Sequence, residues 1–394
     1  MAARMKALAA ATAVLFGAGA ASAKVYIEIR PRASFVGGFN DNVQLDGKGS
    51  DAFGQATPGL KLDLFGDHQL HILVDCQAGI ARLASPEKFG GGSGIAGNET
   101  CEAQLRDHLS PRLRLRMYAR ATYAQDPFAI AGLGLLLRPG QNQIFVGYLH
   151  NEIAQALSPV SELDYILGTR MLMFGAGDPG NGYLIAPELK YLRHIDARTS
   201  WDVGFREQMF IAQGTGPNPL APKGYEGGLV SNGHAALLGW TRRLTPTAEL
   251  SLHGGPLLMT GRAGTNLQGV VRGELANVTP TSAIGLAVGH DMAIGATAAG
   301  PLVADLAEVN VLGDWEHWLV HGRVGMYRNG TLQQSAVGGL YGYGAEAAVD
   351  FKLTKEWRIG VAGLRDARLN DPTVGQLADR DVVQLRLTWE RARF

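Results

Sequence analysis

Strict apolar–polar alternation in segment after segment, short turns alternating with long glycine-rich connections, and no apolar run long enough for a membrane helix predict one fold class. It is all-β, a closed antiparallel transmembrane β-barrel of about eighteen strands, within a range of roughly 16–20. The clearest segment is Arg112 to Tyr123. Leu113, Leu115, Met117, Ala119, Ala121 and Tyr123 fall on one parity; Arg112, Arg114, Arg116, Tyr118, Arg120 and Thr122 fall on the other. A period of two puts successive side chains on opposite faces of a strand. In a membrane barrel the apolar face meets lipid and the arginines face a wet lumen.

The N-terminus predicts the compartment. Arg4 and Lys6 precede an apolar run over Leu8–Ala20, and Ala21-Ser22-Ala23 forms an A-x-A cleavage site before Lys24. Residues 1–23 read as a secretory signal peptide and 24–394 as a single barrel domain. Cleavage removes Arg4 and Lys6 and no acid, leaving 34 basic residues of the original 36 against 36 acidic ones. That balance gives no reason to expect nucleic acid as a partner. Charged residues are 18% of the chain, below the usual ~25% of soluble domains, and glycines number 53.

The strands come as hairpins. Leu60–Leu64 turns at Gly66-Asp67 and returns through Leu70, Ile72, Val74, Cys76 and Ala78. Glu102–Leu109 turns at Ser110-Pro111 into the arginine strand, and Phe128–Arg138 turns at Pro139-Gly140 into Ile144, Val146 and Tyr148. Leu189 and Tyr191 turn around His194–Ala197 into Trp201, Val203 and Phe205. Leu244–Thr247 and Val278–Thr281 share a Thr-Pro-Thr turn, and Gly313–Glu316 and Leu353–Glu356 supply the last two. Longer connections alternate with these turns: Gly37–Ala56, Arg82–Thr100, Asn151–Gly182, Ala212–Val230, Gly295–Leu302, Asn329–Ala336 and Ala367–Ala378. About eight tight turns imply about eighteen strands when both termini are periplasmic. Asn151–Gly182 reads as a long loop entering the lumen, with one further hairpin as the alternative. Trp201, Tyr343, Trp357 and Trp389 sit on apolar parities near strand ends, as in an interfacial girdle. Cys76 and Cys101 read as two small apolar residues, although an oxidising compartment permits a bridge.

The predicted lumen carries the chemistry. Four guanidinium groups on the arginine strand are joined by Glu102, Gln104, Arg106, His108, Asp63 and Asp75 on neighbouring parities. Farther along come Arg206, Glu249, His253, Arg272, Glu274, Arg323, Glu346, Arg358 and Arg386. Such charges select ions or anionic cargo, or pair across the lumen and merely keep it polar. The residues assigned to pore and cargo are Arg112, Arg114, Arg116, Tyr118, Arg120, Arg106, Glu102, Asp75, Arg206, Arg323, Arg358 and Arg386. No H-E-x-x-H, G-x-S-x-G or Cys/His metal spacing occurs, so no enzyme, cofactor or metal is expected. His317 and His321 share a parity and read as polar lumen residues; Asp41–Asp51 and Gly90–Gly94 read as outer loops.

The C-terminal segment alternates Val383, Leu385, Leu387 and Trp389 with Gln384, Arg386, Thr388 and Glu390, and the chain ends at Phe394. This resembles the last strand of bacterial outer-membrane barrels of the porin-like type, although Phe394 is out of phase with Trp389. The resemblance implies an outer-membrane location, lipid contact and the barrel assembly machinery as a partner. A stand-alone barrel also resembles those associated with exopolysaccharide secretion. That implies translocation of a secreted polysaccharide with a periplasmic polysaccharide-export protein. The alternative is a general or anion/sugar-selective diffusion porin for small polar or anionic solutes, and a structural or adhesive barrel is the third reading.

Overall fold

The computed structural model describes residues 26–41, 49–66, 69–85, 95–125, 144–174, 181–212, 230–261, 264–294, 301–331, 340–368 and 378–392. The predicted signal peptide and Phe394 lie outside them. The strands are β1 (Tyr26–Asn40), β2 (Asp51–Phe65), β3 (His71–Leu83), β4 (Ile95–Ser110), β5 (Leu113–Ala124) and β6 (Ile144–Ser158). Then follow β7 (Ser161–Met173), β8 (Gly182–His194), β9 (Thr199–Ala212), β10 (Val230–Arg243), β11 (Ala248–Gly261) and β12 (Gly264–Val278). The last are β13 (Ser282–Ile294), β14 (Pro301–Asp314), β15 (Trp318–Thr331), β16 (Leu340–Lys352), β17 (Trp357–Arg368) and β18 (Ala378–Glu390).

Each strand pairs antiparallel with its sequence neighbours, and β1 pairs with β18 from Arg32–Glu390 to Asn40–Val382, which closes an 18-stranded barrel. Closure leaves no free sheet edge at the seam. Ionic contacts reinforce it: Arg30 on β1 reaches Asp63 on β2 and lies 3.3 Å from Glu390 on β18, which Arg358 of β17 approaches to 3.4 Å.

Following the register around the barrel keeps one parity outward on every strand. Ile27, Ile29 and Phe35 of β1 share it with Leu385 and Val383 of β18, and all are strongly exposed. Apolar side chains displayed in this density on a closed wall belong against lipid rather than water. Aromatic residues gather on the outer face at the short-turn end, which by the usual arrangement is periplasmic. Tyr191 meets Trp201 at 5.8 Å, Trp318 meets Phe351 at 5.0 Å, and Trp357 meets Trp389 at 6.5 Å.

The short turns share one local device. Thr245 Oγ1 accepts hydrogen bonds from the Thr247 and Ala248 amides, and Thr354 Oγ1 from those of Glu356 and Trp357. Asp196 does the same with the Arg198 and Thr199 amides at 2.6 and 2.8 Å, which holds its carboxyl below the ordinary range. These are the side-chain-capped turns that Thr and Asp favour.

Two expectations need correction. Residues 151–182 do not form an inward loop: Asn151–Ser158 completes β6, a turn at Pro159-Val160 follows, and β7 returns. The strand that precedes β6 in the ladder is β5, paired from Ala124–Ile144 onward, and the turn read at Pro139-Gly140 lies outside the described residues. The strand read over 128–138 lies outside the described residues, and so do 42–48 of the acidic loop and Gly90–Gly94. Finally, Cys76 and Cys101 are disulfide-bonded. They face each other directly across β3–β4 on the outer wall, with Cα atoms 4.1 Å apart. Spacing alone does not reveal a register, so the sequence does not show that the two cysteines face each other. Replacing both cysteines with Ser is expected to lower barrel stability by about 3 kcal/mol, from the loop the bridge closes. Urea unfolding in bilayers measures this; an unchanged midpoint would mean the ladder alone holds the hairpin.

Candidate functional site: the lumen wall

The inward parity of β5 presents Arg114, Arg116, Tyr118 and Arg120 to the lumen. Their direct neighbours on β4 are His108, Arg106, Gln104 and Glu102; those on β6 are Ala154, Glu152, His150 and Tyr148. Arg112 departs from the predicted ladder. It lies in the turn before β5, its amide hydrogen-bonded to Ser110 Oγ, because the β4–β5 register shifts between His108 and Ser110.

Most of the predicted arginines are neutralised. Arg114 pairs with Glu162 on β7, and Arg116 lies 3.5 Å from Glu152. Arg206 lies 2.8 Å from Asp291, Arg323 pairs with Glu308, and Asp75 pairs with Arg32. Arg386 grips the buried Asp350 through two 2.6 Å hydrogen bonds. Glu102 accepts from Gln104 at 2.9 Å.

Several pairs skip a strand, and a glycine makes the room. Asp350 and Arg386 meet over Gly360, where a Cβ would come within 1.9 Å of Asp350 Oδ1. Asp202 of β9 and His253 of β11 meet over Gly239, whose Cβ would come within 2.2 Å of Asp202 Oδ2 and 2.4 Å of His253 Nδ1. Ser251 Oγ lies 2.7 Å from His253 Nε2, and Asp202 lies 3.5 Å from its Nδ1. This Ser–His–Asp line resembles a hydrolytic triad in composition, but residues 250–253 are laddered on both sides to β10 and β12. Their amides are thus committed to the sheet rather than to an oxyanion, and the line reads as a polar network. His317 and His321 do not come together: His317 sits in the β14–β15 turn near Phe351, and His321 faces the lumen from β15.

Arg106, Arg120 and Arg170, all exposed to the lumen, stay outside this pairing. Among the described residues, no carboxylate comes within ion-pair distance of Arg106, Arg120 or Arg170. Arg120, Tyr148 and Arg170 occupy one register row across β5, β6 and β7. Arg170 lies over the Tyr148 ring at 5.7 Å, and the Tyr148 and Tyr118 rings are 5.5 Å apart. Arg106 lies beside Arg116, two positions below the Gln104–Tyr118 pair. The sequence reading missed Tyr148 and Arg170. Apolar residues occupy both parities of Ile144–Leu149, and the phase could have been found by extending it through His150 and Glu152.

Beside this patch the lumen turns apolar, because Arg170 of β7 is the register neighbour of Leu184 on β8, where an apolar cluster begins. The β12–β13 ladder stops at Val271–His290, while the end of β13 continues pairing with β14. Met292 is on the outward parity of β13, yet it is only 5% exposed and packs into a cluster with Leu184, Phe210, Leu237, Leu257 and Met259. Those residues face inward from β8–β11. The end of β13, at Asp291 and Met292, therefore passes inside the wall and lies against its inner surface, and β13 touches β8 there. The lumen is narrowed by this strand end rather than by residues 151–182.

This is the architecture of an integral outer-membrane β-barrel. It follows from a closed antiparallel wall, an apolar exterior with an aromatic girdle, and a charged interior. No family model matches the chain, and no curated protein matches it. Among solved structures, OccK2 (OpdF) of Pseudomonas aeruginosa in complex with glucuronate is 9% identical, with a TM-score of 0.47, covering 93% of this chain and 97% of that one. A BenF-like porin from Pseudomonas fluorescens Pf-5 is 10% identical, with a TM-score of 0.47 and coverages of 93% and 99%. The siderophore receptor PirA from Acinetobacter baumannii is 8% identical, with a TM-score of 0.43 and coverages of 93% and 81%. These likenesses are weak, and no residue role is transferred from them.

Proposed function

We propose that this barrel is a passive diffusion channel for small organic anions. The observation that carries the reading is the exposed lumen patch of Arg106, Arg120 and Arg170, interleaved with Tyr118 and Tyr148. None of the three lies within ion-pair distance of a carboxylate among the described residues, although Glu102 is the register neighbour of Arg120. Guanidinium groups offer planar pairs of donors to a carboxylate, and tyrosine rings give an apolar or sugar-like body a surface to slide on. The remaining lumen charges are balanced locally and keep the passage wet without adding a strong field. No cofactor is needed for such a passage.

The export of a secreted polysaccharide with a periplasmic partner draws less support. The inward end of β13 narrows the bore, which suits small solutes better than a polymer. Liposome swelling separates the two readings. Small carboxylates are expected to enter about tenfold faster than neutral sugars of equal size, as local attraction in a charged pore predicts. Equal rates would overturn the anion reading, and no flux through a folded barrel would favour a gated export barrel.

A further inference from the structure

The outward face of the wall changes character toward the long-loop end over six adjacent strands. On β15 the outward residues run Trp318, Val320, Gly322, Val324 and Met326, and then comes Arg328. At ~3.4 Å per residue and a tilt of ~40°, Trp318 and Arg328 are separated by about 26 Å along the barrel axis, the height of an apolar band between its two interfaces. Neighbouring strands change at the same level. Apolar outward positions give way to His290 on β13, Asp305 on β14, Tyr343 on β16, Arg365 on β17 and Asp381 on β18. Each of these lies eight to ten residues from the short-turn end of its strand. On β5–β8 the corresponding outward positions carry no charge: they are Ala121, Tyr123, Leu149, Thr169, Met171 and Ile185.

Within this belt the acidic side chains are committed. Asp305 Oδ1 lies 2.5 Å from His290 Nδ1. Asp379 and Asp381 accept from the Arg365 guanidinium at 3.2 and 2.7 Å, and its Nε donates to Tyr343 Oη at 3.3 Å. Arg328 is different. It is exposed between its register neighbours Asp305 and Tyr341, and no carboxylate among the described residues lies within ion-pair distance of it. A guanidinium on a lipid-facing wall is costly unless water or an anion meets it, and at an interface a lipid phosphate can do so. Below it Val309, Val324 and Met326 form an exposed apolar surface.

We propose that this belt binds a phosphorylated glycolipid of the outer leaflet. The phosphate takes the planar donors of Arg328. A sugar ring lies against Tyr341, and its hydroxyls meet the Asp305–His290 pair. The acyl chains descend over Val309, Val324 and Met326. The mixture of groups selects the class of lipid. A bare phosphate calls for cations alone, whereas an aromatic ring and a carboxylate beside one guanidinium suit the ring face and hydroxyls of a sugar. The site is on the outside of the wall, so it does not depend on which solute passes through the lumen.

The test reconstitutes the mature protein in phosphatidylcholine vesicles that contain a small share of a bis-phosphorylated glycolipid. Extraction in mild detergent and native mass spectrometry then measure the glycolipid that stays with the barrel. The native barrel is expected to retain it. Arg328→Gln with Tyr341→Leu is expected to lower retention about tenfold, the loss of a charge-assisted pair and a ring contact. Met171→Gln, on the uncharged side of the wall, is expected to leave it unchanged. Arg328 has no carboxylate to strand, and migration on heat-modifiable gels checks that the double variant folds. If it does not, the native barrel receives a glycolipid with a photoreactive group beside its phosphate. Label is then expected on residues 303–309 and 324–328, and label centred on β5–β8 overturns the site. Retention that survives the double substitution overturns it too, as does a native barrel that retains no glycolipid. Equal retention of the dephosphorylated glycolipid removes the role of Arg328, and equal retention of phosphatidylglycerol removes that of the sugar; either result overturns the proposal.

Discussion

Leu385→Arg is expected to cost the folded barrel about 2–4 kcal/mol in a bilayer, the penalty for an arginine near the midplane on a lipid-facing wall. Leu385 lies mid-strand on β18, outward and 64% exposed, opposite Gly37 on β1 and Val361 on β17. Its neighbour Gln384 points the other way, toward the lumen, so Gln384→Arg is expected to change stability by no more than about 0.5 kcal/mol. The comparison turns on one-residue parity. A strand that slipped by one position would exchange the two outcomes, because every side chain on it would change face. Equilibrium urea titration in lipid vesicles, followed by tryptophan fluorescence, gives both values. Similar costs for the two variants would contradict the assignment of the apolar parity to lipid.

Much of the barrel was legible because its cues are local. Alternation fixes the face of a strand within a few residues, and Thr-Pro-Thr and Gly-Asp fix turns within four. That is why seven of the predicted turns, from Gly66-Asp67 to Leu353–Glu356, coincide with junctions in the structure. The turn read at Pro139-Gly140 lies outside the described residues, while the junction at Pro159-Val160 was not read as one, and the strand number is the expected eighteen. Proline and glycine mark a bend but do not say at which end of the barrel it lies. The hairpin within 151–182 was hidden for a similar reason. Asn151, Gln155 and Thr169 interrupt the apolar parity and blur the alternation.

The site was less legible than the wall. The inward parity of Arg114, Arg116 and Arg120 could be read from the strand itself. Whether each charge is free could not, because its partner sits on a strand set by register. Arg114 finds Glu162 two strands away, and Arg386 finds Asp350 only because Gly360 intervenes. The sequence offered a ladder of four arginines, whereas pairing leaves Arg120 exposed beside Arg106 and Arg170 from other strands. The inward end of β13 has still less local signature. Met292 keeps the alternation of its strand, and only His290, a polar residue on the outward parity beside Asp305, and the ladder's end at Val271 mark the departure.

The cationic patch produces the second large effect, and it carries the central claim. Arg106, Arg120 and Arg170 are exposed to the lumen, so removing their charge leaves no buried carboxylate unpaired, and the barrel is expected to fold as before. The contrast is Arg386→Met, which strands the buried Asp350 and is disfavoured as a probe for that reason. Without the three guanidinium groups the lumen loses its anion-attracting field, and selectivity in such pores follows the charge of the lining. The decisive measurement is the reversal potential of single channels in a planar bilayer under a salt gradient. It compares the mature protein with the variant Arg106→Gln, Arg120→Gln, Arg170→Gln. An anion-preferring potential in the native channel that falls to near zero in the variant is the predicted result. A native channel without anion preference, or one whose preference survives the triple substitution, would contradict the account.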